Sequence, residues 1–234
     1  MVHDRDRSER TVKAASSFLA RWAGARAEFY RLTASHQTLS VVLRRSDKTN
    51  LVLACLGPLK IRGPVSWGGA ALSVSRVALP DGTHEGFLLR DVAADVEVLC
   101  ESLEVSENVK RYGLDETSKE PESEMSDSRD LSERLNGYAA ELAPWRGAMA
   151  IMRELTHEGR CLRILVQRED GGDNLVLDCV GTRHIKGSHW WEKNELVVTA
   201  LPHSDGGGFF VKDEAADVEI VCAAVSMREN VKLY

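Results

Sequence analysis

No stretch of this chain is apolar enough for long enough to cross a bilayer or to form the core of a secretory signal. The first ten residues mix both charge signs, and the apolar stretch that follows is interrupted by Lys13 and Arg21. A spanning helix needs about 20 consecutive apolar residues, and acids this early do not fit a transit peptide. These absences predict a soluble, cytoplasmic protein with no membrane partner. Cysteine is sparse as well. Five cysteines in 234 residues fall short of a disulfide scaffold, so reduced thiols are expected. No two cysteines, and no Cys and His, stand at zinc-ligand spacing.

Positive charge is also in deficit. A net charge of -6 argues against broad, sequence-independent nucleic-acid binding, which needs a basic surface to release counterions. The nucleophile elbow, the Walker loop, the dinucleotide fingerprint and the zinc-protease signature are all missing. Asp205-Gly206-Gly207-Gly208 superficially suggests a phosphate cradle, but Phe209-Phe210-Val211 continues it as strand. Without a following helix it is a hairpin connection. No cofactor, no metal and no catalytic residue is therefore assigned. With 43% hydrophobic and 28% charged residues, the composition is that of an ordinary globular protein.

What the chain does contain is the same pattern twice. NLVLACLG at 50–57 returns as NLVLDCVG at 174–181, and DVAADVEVLC at 91–100 returns as DEAADVEIVC at 213–222. Trp22, Leu32, Gly63, Trp67, Pro80 and Tyr112 align with Trp145, Leu155, Gly187, Trp191, Pro202 and Tyr234. The drift in offset places small insertions at Gly171-Gly172 and between Trp67 and Pro80, where loops belong. Between the copies the chain is polar, acidic and free of aromatics, a flexible linker by composition. The expected organisation is a first repeat at 1–113, a linker at 114–128 and a second repeat at 129–234.

Within each copy the periodicity changes once. Phe18, Trp22, Ala25, Phe29 and Leu32 step by fours and threes, which predicts an amphipathic helix. Leu131, Leu135, Tyr138, Leu142, Trp145, Met149 and Met152 do the same, with Pro144 dividing the helix and a second segment expected over 145–155. Alternation by two follows at 39–43 and 162–166, predicting half-buried strands. Turn-rich segments at 46–50 and 169–174 lead into strands at 51–56 and 175–180. Further strands are expected near 71–79, 86–90 and 96–105, and near 195–201, 208–212 and 218–225. The predicted fold class is α+β: a tandem duplication in which each copy is an N-terminal helix packed on an antiparallel β-meander of about five strands.

Cys55, Cys100, Cys179 and Cys222 all fall on the inward parity, where cysteine behaves as a small hydrophobe. A within-copy disulfide, 55 to 100 or 179 to 222, requires neighbouring strands. Cys161 has no counterpart. Asp91 and Asp213 open an Asp-x-Ala-Ala-Asp-x-Glu element between strands, where an aspartate satisfies turn amides. The segment Ile61-Arg62-Gly63-Pro64-Val65-Ser66-Trp67 answers to Ile185-Lys186-Gly187-Ser188-His189-Trp190-Trp191: a strand, a tight backbone position and an aromatic anchor. The copies diverge here, the second adding His184, His189 and Trp190, with His203 in a later loop.

The candidate binding residues are accordingly Arg62 and Trp67 in the first copy, and His184, Lys186, His189, Trp190 and Trp191 in the second. Trp and Arg are where binding energy concentrates. Two functional classes remain open on sequence. One is a non-catalytic interaction protein, an intramolecular pseudo-dimer that binds a protein or peptide partner, with further homo-oligomerisation possible. The other is an enzyme, or a small-molecule or metal binder, with a site between the repeats that pairs His184 or His189 with an acid such as Asp213.

Overall fold

The computed structural model describes residues 2–33, 37–45, 49–82, 84–109, 128–156, 160–168, 173–202 and 207–231. The acidic linker expected at 114–128 lies outside them except for Ser128, as do His203, Tyr112, Tyr234 and parts of both hairpin turns. The chain divides into two compact units, Met1–Thr117 and Ser118–Tyr234.

The protein is mostly antiparallel sheet, 57% strand against 16% helix. It is not the expected α+β repeat of one helix covering a five-stranded meander. The first unit holds α1 (Val2–Arg21), β1 (Arg26–Thr33), β2 (Thr38–Arg44), β3 (Asn50–Pro64), β4 (Ser66–Trp67), β5 (Ser73–Ala78), β6 (Glu85–Asp91) and β7 (Val96–Glu107). Every pairing is antiparallel, in the spatial order β4-β1-β2-β3-β7-β6-β5. The helix is an accessory that packs against β5 and β7, and its Ala15 and Leu19 are buried.

The error in the helix expectation has a specific physical cause. Helix α1 stops at Arg21, and Gly24, at φ 82°, turns the chain into β1. Ala25, Ala27 and Phe29 then alternate inward as a strand requires, and a β-bulge between Phe29 and Arg31 inserts one residue before Leu32. The step from Phe29 to Leu32 is therefore three, and together with Ala25 it imitates a helical stripe. The same substitution occurs at 145–155. Pro144 and Trp145 sit in a 3-10 turn, Ala143–Trp145, and β8 (Met149–Thr156) carries a bulge between Met152 and Glu154, so buried Met152 and Leu155 are again three apart.

The second unit has α2 (Ser128–Leu142), β8, β9 (Cys161–Gln167), β10 (Asn174–Val180), β11 (His184–Ser188), β12 (Trp190–Trp191), β13 (Val197–Ala200), β14 (Phe209–Asp213), β15 (Val218–Cys222) and β16 (Ala224–Glu229). Its strands form two antiparallel runs, β12-β8-β9-β10-β16 and β11-β15-β14-β13. Where the first unit has the long strands β3 and β7, the second has β10 and β11, and β15 and β16. Each of these pairs is broken at a corner that is bridged by Arg183 N–H to Val221 O and Ala223 N–H to Val180 O, at 2.8 and 2.9 Å. Helix α2 packs against β13.

The core of the first unit is built on Phe29, Leu32, Leu39, Leu43, Leu51, Leu53, Ile61 and Leu89, all under 2% exposed. Each such side chain contributes about 1.5–3 kcal/mol on burial. The middle of β2 is buried at every position from Leu39 to Leu43, rather than on one face only. On its other parity Val42 packs with Val52, Tyr30 and Val109. The strand exits are tied down by asparagine: Asn50 accepts Val109 N–H on Oδ1 at 3.0 Å and donates from Nδ2 to Val109 O at 3.3 Å. Asn174 does the same with Val231, at 3.0 and 3.1 Å.

Candidate functional site

The Gly-Trp segments form where an inward strand must leave the sheet and return to it. At Gly63 and Gly187 φ is 136° and 139°. A Cβ at either would stand 2.7 Å from the Cγ2 of Val96 or Val218 and 3.1 Å from its Cα. Only glycine fits both the dihedral and the approach. Beyond it, Val65 O accepts Phe29 N–H at 2.8 Å, and the two residues of β4 pair with Ala27 and Glu28 of β1. In the second unit His189 O accepts Met152 N–H at 2.7 Å, and β12 pairs with Ala150 and Ile151 of β8.

Trp67 and Trp191 both point inward from these short strands and are 7% and 6% exposed. Trp67 Nε1 donates to Asp91 Oδ2 at 3.0 Å, its ring edge-on to Phe29 at 5.5 Å. The same carboxylate accepts Ala71 N–H at 2.7 Å and Ala94 N–H at 3.3 Å. In the second unit Asp213 accepts Trp191 Nε1 at 2.9 Å, Glu195 N–H at 2.7 Å and Ala216 N–H at 3.2 Å. Asp91 and Asp213 are each 1% exposed. A buried carboxylate is tolerated because several N–H donors replace its hydration. Each cage ties the Gly-Trp return to the turn after β6 or β14.

Tryptophans at the helix ends follow the same rule. Trp22 donates to Glu107 Oε1 at 2.8 Å beneath the Arg45 guanidinium, 4.9 Å from the ring centre. Trp145 donates to Glu229 Oε1 at 3.3 Å beneath Arg168 at 5.0 Å.

The remaining candidates scatter. Arg62 is bound to Asp95 at 2.6 Å on the outer surface. Lys186 contacts Asp217 at 2.5 Å and Glu219 at 3.2 Å, and the hydrogen bond to Asp217, then that to Glu219, raises its pKa. His184 begins β11 opposite Val221. It opens β11, whereas His189 follows the end of that strand. Both oxygens of Asp213 are engaged by structural donors. Among the described residues no group of three or more His, Cys, Asp or Glu is placed to hold a metal.

His189 and Trp190 stand apart from these. His189 occupies the register position of Val65, which is 4% exposed. The imidazole is half-buried, its Nδ1 is enclosed without a hydrogen-bond partner, and burial lowers its pKa. Trp190 occupies the position of Ser66, whose Oγ accepts Arg26 Nε and Nη2 at 3.3 and 3.2 Å. Trp190 is 47% exposed.

The second unit also carries a charged row that sequence reading missed. Glu154, Arg163 and Asp178 are cross-strand neighbours on β8, β9 and β10. Arg163 Nε donates to Asp178 Oδ1 at 2.7 Å, and Arg228 donates to Asp178 Oδ2. The hydrogen bond to Asp178 raises the Arg163 pKa. The first unit has Ser40 and Ala54 paired at the matching register. The exchange of Ala54 for Asp178 was the available signal.

No known protein family matches the chain, and neither does any curated protein or any solved structure.

Proposed function

We propose that this chain is a non-catalytic binding protein that engages a protein or peptide partner through the corner of the second unit that bears Trp190. One observation carries the reading. Of five tryptophans, Trp22, Trp67, Trp145 and Trp191 are 3–7% exposed, whereas Trp190 is 47% exposed. Each of the four buried indoles is closed on a carboxylate. An exposed indole in a chain that buries all its others is a candidate anchor, because partly apolar, partly polar rings concentrate interface energy. It stands on a two-residue strand fixed by the Trp191–Asp213 cage, so the ring is presented from a rigid base.

The matching cages support a second part of the proposal. The second unit carries the same cage as the first but has diverged from it beside the indole. Replacement of Val65 and Ser66 by His189 and Trp190 is where that divergence bears on binding.

The test is quantitative co-purification from the native host with wild-type protein and the Trp190→Ser variant, which copies the first unit. Loss of a stoichiometric partner, with an unchanged circular dichroism spectrum and unfolding midpoint, supports the reading. Equal recovery of the same partner by the variant refutes it.

A further inference from the structure

His189 stands where the first unit has Val65, and the exchange puts an ionisable ring into a slot filled there by a hydrocarbon. Its carbonyl accepts Met152 N–H and it shares parity with Trp191, which pairs with Ala150. Its inward neighbours on β8 are therefore Met152 and Ala150, both apolar and buried. Nδ1 is enclosed and has no hydrogen-bond partner among the described residues. The neutral ring meets that condition by carrying its proton on Nε2 and leaving a bare lone pair at Nδ1. The imidazolium cannot. Both of its nitrogens carry hydrogen, so protonation creates an enclosed donor without an acceptor and a charge in apolar surroundings.

The charged groups on the surrounding elements do not compensate that charge. On β8, Glu154 is bound to Arg163 at 3.3 Å, and Arg153 is itself a cation. On β11, His184 opens the strand opposite Val221, and Lys186 holds Asp217 and, from β15, Glu219 at 2.5 and 3.2 Å. Asp213 is occupied by Trp191 Nε1 and two backbone donors. Glu192, Lys193 and Glu195, which follow β12, are exposed.

The segment that carries His189 is short and fixed at both ends. Gly187 is pinned by its close approach to Val218, and Trp191 by its hydrogen bond to Asp213 at 2.9 Å. Between them lie Ser188, His189 and Trp190. Trp190 is directed by its pairing with Ile151 and by the bond from Met152 N–H to the carbonyl of His189. A His189 ring that leaves its slot for water therefore disturbs the same residues that aim the indole.

We propose that His189 is a proton-operated latch on Trp190: seated and neutral it holds the indole in its presenting position, and protonated it swings out, lifts residues 188–190 from β8 and withdraws the anchor, so that the corner sheds its partner in acid. The proposal rests on Trp190 being the anchor. Burial holds the His189 pKa below its ordinary 6.5, which places the release below that pH. The first unit, with valine and serine at these positions, has no such latch.

The first arm of the experiment needs no partner. The full chain is labelled with 5-fluorotryptophan, and fluorine NMR follows its five indoles from about pH 7.5 to about pH 5. The Trp190 resonance is identified by its absence from Trp190→Ser. It should move with a single midpoint below 6.5 while the four buried indoles keep their positions. The movement should vanish in His189→Val, which copies the first unit, and persist in His184→Gln. A Trp190 resonance that does not titrate in the wild type overturns the latch, as does one that titrates equally in His189→Val or is silenced by His184→Gln. Movement of all five resonances together, the mark of general unfolding, overturns it as well. In the second arm the co-purified partner is challenged at about pH 5: the wild type should lose it and His189→Val should keep it, and equal retention by the two overturns the coupling to binding. Failure of the anchor reading is distinguishable, because it shows as equal partner recovery by Trp190→Ser at neutral pH, whatever the fluorine titration gives.

Discussion

Replacing Asp91 by alanine should destabilise the first unit far more than any contact on its surface. The carboxylate accepts three donors, the Trp67 indole, Ala71 N–H and Ala94 N–H, within a site where both Trp67 and Asp91 are buried. Each buried donor left without an acceptor costs about 1–3 kcal/mol. Removing the carboxylate also relieves its own desolvation, which returns part of that sum. A net loss of about 2–4 kcal/mol follows for Asp91→Ala, since the two backbone donors are only partly buried. Trp67→Phe removes one donor and leaves the carboxylate with two, at about 1–2 kcal/mol. Because both changes break the same hydrogen bond, the double variant should cost less than the sum, with a coupling of about 1 kcal/mol. Equilibrium urea unfolding followed by circular dichroism reads all four proteins. An Asp91→Ala protein within about 0.5 kcal/mol of wild type, the range of an ordinary surface substitution, would refute the cage as the element that fixes the Gly-Trp return.

Other outcomes follow from the second unit. His189 has its pKa held below the ordinary 6.5 by burial, so the unfolded chain takes up the proton first. Stability is then full above about pH 6.5 and falls as pH drops through that value toward the lowered folded one. The His189→Val variant, copying Val65, should flatten this dependence between pH 7 and 5 in urea midpoints, and an unchanged slope contradicts it. Asp178→Ala leaves Arg163 and Arg228 facing each other without their shared carboxylate. With both guanidinium groups partly solvated, the cost is about 1–2 kcal/mol. The variant carrying both Arg163→Ser and Asp178→Ala copies Ser40 and Ala54 and should lose less than Asp178→Ala alone. A larger loss in the double variant contradicts the charge-pair account.

Strand alternation was legible wherever a strand ran without a bulge. The segments at 39–43, 51–56, 162–166 and 175–180 all lie in β2, β3, β9 and β10, since period two survives translation from sequence to sheet. Bulges were not legible, and one extra residue in β1 and in β8 turned a strand into a false helix and the chain into a false α+β protein. The inward parity of the four cysteines and the turn role of Asp91 and Asp213 could be read from the repeat. That these aspartates also hold Trp67 and Trp191 could not, because the partners lie 24 and 22 residues away and only the folded sheet brings them together. The recurrence of both residue types in register was the available clue. Trp190 was visible as a difference between copies, but its exposure required the β12 register, which sends Trp191 inward and its neighbour out.

Partner binding by the Trp190→Ser protein tests the central claim most directly. With the co-purifying partner isolated, its dissociation constant for wild type and variant can be measured by calorimetry on the intact chain. An anchoring indole predicts weakening of at least about tenfold, or 1.4 kcal/mol, with the unfolding midpoint unchanged. Equal affinity of the two proteins, or a wild-type chain that holds no partner at stoichiometric level, contradicts the account.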